Sequence, residues 1–312
     1  MKTLTDADVD RLLPMKDAIL VMEGAFRAKA EGHLVSPPRF YVRFSRGTLA
    51  FTVGGDDVGG SAVGFRVYNT FPGAKEDGGI HPDRTQVTMV FDAGSGALQG
   101  TILGTRLGVL RTSAIGGTAL KYLANPAAER IGFIGSGLQA KAQLDAAVSV
   151  LSLKGLRVFS PTPAHREEFA RRAAEKYGLA ARAVDTARET AENSDVVICS
   201  TDSARPVIEA EWIRPGTHVT TMGSKTTSEH EIGPAVAQQA DVIASDSPAQ
   251  LSAYSEPHIL QGTGAWTRVI DLAEIVSGRK TGRTGAGQRT LFLSEGLAGT
   301  EVLLAAELLR RA

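Results

Sequence analysis

Apolar positions along the chain run first at helical spacing, then at every second residue, then in short apolar runs separated by helical stretches. Thr5, with Asp8 three residues on, predicts a capping box opening a short helix whose Val9, Leu12 and Leu13 share one side. Pro14 suits the first turn of a second helix, where Ala18, Ile19, Met22, Ala25 and Phe26 form one face; it stops near Glu31-Gly32. Ser36-Pro37-Pro38 then forces the backbone to extend. From Arg39 to Leu103 the period becomes two. Phe40, Val42 and Phe44 alternate with Tyr41, Arg43 and Ser45, and Arg46-Gly47 turns the chain into Leu49, Phe51 and Val53. Further strands are expected at 62–68, 86–91 and 98–103, in an antiparallel or mixed sheet. Two long connections, 54–61 and 71–85, interrupt it, and loops of that length often carry function.

A long amphipathic helix is predicted over 104–124, with Leu107, Leu110, Ala114, Leu120 and Leu123 apolar; Asn125-Pro126 ends it. It is expected to be a hinge between two domains. Strand and helix then alternate: strands at 130–134, 155–159, 181–184, 196–200, 218–222 and 241–244, helices at 140–151, 164–177 and 186–192. That alternation favours α/β architecture with a doubly wound parallel sheet. A last apolar helix, 297–309, is expected to return to the first domain.

The strand at 130–134 runs straight into Gly135-Ser136-Gly137-Leu138-Gln139-Ala140. The first glycine permits a tight turn, the second lets backbone approach a pyrophosphate, and the small third residue lets helix and strand pack closely. Helix N–H groups then face the anion. A purely structural glycine turn is the alternative, in a chain with 34 glycines. An NAD-selective site usually carries an acid at the end of the next strand to hold the ribose hydroxyls. Here Ser160, Thr162 and Arg166 stand there and no carboxylate appears until Glu167, so NADP(H) is favoured and NAD(H) remains possible. If Ser160 and Thr162 only cap the next helix and Arg166 is solvated, selectivity is loose.

Charge and cysteine content narrow the partners. Lys and Arg number 34 against 34 Asp and Glu, which gives no reason to expect nucleic acid or a membrane surface. The one cysteine, Cys199, sits in an apolar strand and reads as buried rather than nucleophilic. No apolar run is long enough to span a bilayer, and the N-terminus lacks the core of a signal peptide, so a soluble cytoplasmic protein is expected.

Several blocks together resemble the ornithine cyclodeaminase/mu-crystallin family: Ser36-Pro37-Pro38-Arg39, Gly64-Phe65-Arg66-Val67, Phe91-Asp92-Ala93-Gly94-Ser95-Gly96 and Leu110-Arg111-Thr112-Ser113-Ala114. The glycine turn, Pro215-Gly216-Thr217-His218-Val219, Met222-Gly223-Ser224 and Ser294-Glu295-Gly296-Leu297-Ala298 continue the series in order. The resemblance implies a substrate-binding and dimerising domain from residues 1–115 and 298–312, and a Rossmann domain over 116–297. It implies a homodimer, and activities that include ornithine cyclodeamination, alanine dehydrogenation, reduction of cyclic imines and ketimines, and hormone binding. It carries cofactor contacts to Arg111, Thr112, Gly135, Ser136, Gly137, Leu138, Gln139, Thr201, Met222, Gly223, Ser224 and Ser294. Arg39 matches the arginine that grips a substrate carboxylate, and Arg111 one near substrate and cofactor phosphates; a planar guanidinium suits both. A salt bridge is the alternative for either.

Two departures from the family pattern matter. Arg66 replaces a lysine, and an arginine holds an anion without readily giving up a proton. Lys225 replaces the aspartate that accepts ornithine's side-chain amine, and a lysine there repels that group. The expectation is an oxidoreductase transferring hydride between cofactor and the Cα of a small imino, keto or amino acid, whose carboxylate Arg39, Arg66 and Arg111 fix. Arg66 and Lys225 are the catalytic candidates and Glu295 a further substrate contact. Lys225, Glu295, Tyr68 and His81 are the candidate proton donors, with a solvated loop lysine the alternative for Lys225. No metal spacing is recognised. A cyclodeaminase-type lyase and a binding protein without turnover are the competing readings.

Overall fold

A computed structural model describes residues 1–58, 62–69, 71 and 86–312. The chain forms two compact units, residues 1–115 with 296–312 and residues 116–295. His81 and most of the 71–85 connection lie outside the described residues.

The first unit contains β1 (Lys2–Leu4), α1 (Asp6–Leu12), α2 (Met15–Glu31), β2 (Leu34–Val35), β3 (Phe40–Phe44), β4 (Gly47–Asp56), β5 (Ala62–Asn69), β6 (Val87–Asp92) and β7 (Leu98–Leu103). The Asp8 carboxylate accepts from the Thr5 N–H at 3.0 Å, as the capping box requires. Ala18, Ile19, Met22, Ala25 and Phe26 make the buried face of α2, and Gly32, at φ 83°, ends it in the left-handed conformation. The sheet is mixed: β1 runs parallel to β7, and the order β1-β7-β6-β5-β4-β2 is otherwise antiparallel, with β3 also paired to β4. Alternation in β3 predicted one covered face. All five of its residues are exposed instead: among the described residues β3 pairs only with β4, and its ring contacts are limited to Phe40 on Phe51 and Phe44 against Phe71. α3 (Arg106–Leu123) begins two residues later than its periodicity suggests, and the boundary between the units falls inside it.

The second unit alternates β8 (Arg130–Ile134), α4 (Leu138–Val150), β9 (Gly155–Phe159), α5 (Pro163–Tyr177), β10 (Ala180–Ala183), α6 (Ala187–Glu192) and β11 (Val196–Cys199). It continues through β12 (His218–Thr221), α7 (Pro234–Gln238), β13 (Val242–Ser245), α8 (Pro248–Ser252), β14 (Val269–Asp271), α9 (Leu272–Val276) and β15 (Thr290–Leu293). All eight strands are parallel, in the order β10-β9-β8-β11-β12-β15-β13-β14. Val197 and Cys199 pack into one apolar cluster and Val196 and Ile198 into another, so both faces of the sheet are covered. Burial raises the Cys199 thiol well above its ordinary value, which leaves it unreactive. Strand order reverses between β8 and β11, and ligands of such sheets bind outside the carboxyl ends of the strands at that point.

The last helix, α10 (Thr300–Arg311), belongs to the first unit, where it packs across β4–β7 and against α2. Val302, Leu304, Ala305, Leu308 and Leu309 are its buried apolar residues, each worth on the order of 1–3 kcal/mol when fully withdrawn from water. Among the described residues no helix is long and apolar enough to cross a membrane.

Candidate functional site

In the second unit, β8 ends in a turn only glycine tolerates. Gly135 has φ 103°, and a Cβ there would lie 2.1 Å from the Ser200 carbonyl oxygen. Its N–H donates to the Phe159 carbonyl at 2.8 Å, which ties the turn to the end of β9. Gly137 caps α4 without a side-chain hydrogen bond, and nothing lies within 4 Å of the Cβ it lacks. Backbone can therefore be approached closely at the helix end that carries unpaired N–H groups. Leu138 starts α4, Ala140 is fully buried beneath it, and the buried Gln139 Oε1 has no hydrogen-bond partner among the described residues. These residues fit a dinucleotide pyrophosphate. Beside them, Ser136 Oγ donates to Ser160 Oγ at 3.0 Å. Thr162 is the N-cap residue of α5, and Arg166 in its first turn donates to the Ser160 carbonyl at 3.0 Å. The sequence suggested no acid here; the fold brings Asp185 to Arg166, 2.5 Å from Nη2.

The loops following β11 and β12 are knotted together by a residue that motif reading passed over. Glu231 is fully buried, and its carboxylate accepts from the Thr201 N–H and hydroxyl at 2.6 and 2.7 Å. It also accepts from the Thr221 hydroxyl, the Met222 N–H and the Gly223 N–H at 2.8, 3.0 and 2.7 Å. Five donors on one carboxylate offset its loss of hydration. Its own N–H donates to the Ser224 carbonyl at 2.8 Å. Thr201, Met222, Gly223 and Ser224 are thus held as one rigid edge at the carboxyl end of the sheet.

Lys225 is buried rather than solvated. Its ammonium donates to the Gly223 and Ser294 carbonyls at 2.7 and 2.9 Å and lies 3.2 Å from the Glu295 carboxylate. The Tyr254 hydroxyl donates to the other Glu295 oxygen at 2.6 Å, and the Glu295 N–H donates to Asp246 at 2.8 Å. His258 packs nearby, its ring tilted against that of Trp266 with centroids 5.3 Å apart. Burial pushes its imidazole down to about 4, Glu295 opposing and Lys225 reinforcing. Neither Tyr254 nor His258 belongs to a recognisable motif; they reach this cluster through the stretch following α8.

The first unit holds the arginines. Arg66 on β5 and Arg111 on α3 both donate to one oxygen of Glu301, at 2.8 and 2.6 Å. All three side chains are buried. Arg66 also donates to Gln86 Oε1, and its guanidinium lies 4.7 Å from the Tyr68 ring centre. Burial lowers the Arg66 pKa, with Glu301 opposing, while Glu301 sits below the ordinary carboxylate value because Arg111 and Arg66 together outweigh its burial. Two glycines make room: a Cβ on Gly108 would lie 2.6 Å from Arg66 Nη2, and one on Gly296 2.5 Å from Arg111 Nη1. Nε and Nη1 of Arg111 and Oε2 of Glu301 are buried with no hydrogen-bond partner among the described residues. Arg39 stands half-buried just before β3, and Thr112 donates to the Gly108 carbonyl at 2.9 Å. Glu301 was absent from the candidates. Its trace in the sequence is a carboxylate four and seven residues before Ala305 and Leu308, on the apolar face of α10.

The ornithine cyclodeaminase/mu-crystallin family matches residues 1–310. Among curated relatives, the alanine dehydrogenase of Archaeoglobus fulgidus is 29% identical over 308 residues, 97% of this chain and 92% of that one. The Δ1-pyrroline-2-carboxylate reductase of Thermococcus litoralis, solved with NADH and L-proline, superimposes with a TM-score of 0.90 at 28% identity, over 100% of this chain and 97% of that one. An archaeal alanine dehydrogenase dimer with bound NAD gives 0.89 at 28% identity, over 99% and 95%.

Proposed function

Since the chain belongs to the ornithine cyclodeaminase/mu-crystallin family, we propose that it is an NAD(P)H-dependent oxidoreductase reducing a small imino acid, cyclic or open-chain, to an amino acid, or running the reverse dehydrogenation. The observation that carries this reading is the triad of Arg66, Arg111 and Glu301: two guanidiniums share one carboxylate, and two buried nitrogens of Arg111 find no acceptor among the described residues. Such a cluster calls for one more carboxylate. Arg111, with Arg66 and Arg39, takes the substrate's; Glu295 adds a contact. The reduced nicotinamide, when bound, supplies the hydride. Residues 135–139 hold its pyrophosphate, and Thr201, Met222–Ser224 and Ser294 its nicotinamide half.

Lys225 is the group we assign to the proton, with Glu295 and Tyr254 linked to it. Arg66 orients and does not shuttle, because a guanidinium stays charged. An ammonium fixed at 225 also disfavours ornithine, whose second amine it repels. For the cofactor we favour NADP(H): Ser160, Thr162 and Arg166 offer a phosphate donors and charge where an NAD site offers an acid. We further propose a cytoplasmic homodimer joined through the β-rich unit; among the relatives, the archaeal alanine dehydrogenase is a dimer.

The test is an assay of reduced-cofactor consumption with Δ1-pyrroline-2-carboxylate, and with pyruvate plus ammonia or methylamine. Net oxidation of NADPH or NADH is expected. Ammonia release from L-ornithine with no net change in cofactor would mark a lyase, and cofactor binding without turnover across the panel a binding protein; either outcome overturns the proposal.

A further inference from the structure

Resting on the dinucleotide reading of residues 135–140, we propose that Asp185 tunes cofactor preference by competing with the 2′-phosphate of NADP(H) for Arg166. The end of β9 is fastened to the glycine turn through Gly135 and Phe159, and through Ser136 and Ser160. In a doubly wound sheet the adenine ribose lies at this strand end. Arg166 is a fixed cation there. Its side chain is 13% exposed, it donates to the Ser160 carbonyl, and its guanidinium lies 5.8 Å from the Phe159 ring centre.

Asp185 is held differently. It follows β10, the neighbouring strand, and its side chain is 90% exposed. The cation is anchored by several contacts, whereas the carboxylate is anchored by the cation and otherwise meets water. A phosphate dianion brings more charge and more acceptors to the same guanidinium, so it displaces the carboxylate, which swings into solvent. The displaced charge stays within a Debye length and repels the phosphate. Asp185 therefore weakens NADP(H) without excluding it. A ribose hydroxyl, being uncharged and able to donate to a carboxylate, escapes this penalty.

The experiment measures dissociation constants of NADPH and NADH for the full chain, by the fluorescence of the reduced nicotinamide. Asp185→Asn keeps the side chain's shape, and the residue's exposure leaves the fold unburdened. NADPH is expected to bind about three- to tenfold more tightly to this variant at low salt, with NADH not tightened, and the gain is expected to shrink as salt rises. Asp185→Glu is expected to retain the parent preference. Arg166→Ala in the Asp185→Asn background is expected to abolish the gain. Unchanged NADPH affinity, or equal tightening of both cofactors, overturns the proposal while leaving the dinucleotide reading intact. Failure of the parent protein to bind either cofactor overturns that reading and this inference with it.

Discussion

A buried carboxylate facing two guanidiniums is held in place by charge, and charge can be removed one atom at a time. Glu301→Gln leaves Arg66 and Arg111 buried without their counter-ion, and a broken buried pair of this kind costs about 3–5 kcal/mol. Urea unfolding is expected to lose about that much, and Glu301→Gln with Arg111→Met to recover part of it. Acid acts on the same group. The folded-state pKa of Glu301 lies below its unfolded value of 4.5, so its contribution is complete above pH 4.5 and lost as pH falls through the folded value. His218 acts in the second unit. It is buried between Thr290 and Thr220, at 2.8 and 2.9 Å, and burial, reinforced by Arg283, lowers it from 6.5 to about 3. Thr290 Oγ1 donates to the Leu123 carbonyl, so it receives the His218 Nδ1 proton, and the neutral ring is satisfied on both sides. The unfolded chain binds a proton that the folded chain refuses. Stability is expected to rise by roughly 3 kcal/mol between about pH 4 and 6.5, a slope that His218→Asn removes. Glu301 and Glu231 stayed hidden in the sequence for one reason: neither lies in a motif, and a buried acid is known by the donors folding brings to it.

At the level of elements, period alone carried most strand and helix positions, since a half-buried strand and an amphipathic helix write their burial into every turn. It missed one fully buried strand and misjudged one exposed strand. Thr290–Leu293 forms a four-residue strand with every residue buried, inserted between β12 and β13. A run that short has no period to detect, and it follows a polar stretch. The opposite failure is β3, which alternates yet stays exposed. Phe40, Val42 and Phe44 are 51, 40 and 52% exposed on an edge strand of the mixed sheet. An apolar edge of this kind needs a partner. If β3 lies in the proposed dimer contact, Val42→Glu with Phe44→Glu is expected to weaken self-association at least tenfold by sedimentation, with far-UV circular dichroism unchanged. A parent chain that sediments as a monomer at micromolar concentration contradicts this.

Over the whole molecule, the two units answer to different probes. The cradle residues 135–139 lie in the second unit and the arginine triad in the first. A dinucleotide at about a hundred times its dissociation constant stabilises its binding unit by about 2.7 kcal/mol. Hydrogen exchange is expected to slow mainly within 116–295, and uniform protection across both units would contradict binding in the cradle. The alternation of strand and helix made the parallel sheet legible, because each crossover repeats the same rule. Partners contributed from distant parts of the chain, such as Glu301 to Arg66, follow no local rule.

Chain order gives the α10 carboxylate one more consequence. A ribosome that has released residue 295 has delivered every strand of the parallel sheet, while the mixed sheet still lacks its covering helix and the counter-ion of its arginines. During synthesis the unit formed by residues 116–295 is therefore complete while the strands of residues 1–115 still wait for α10.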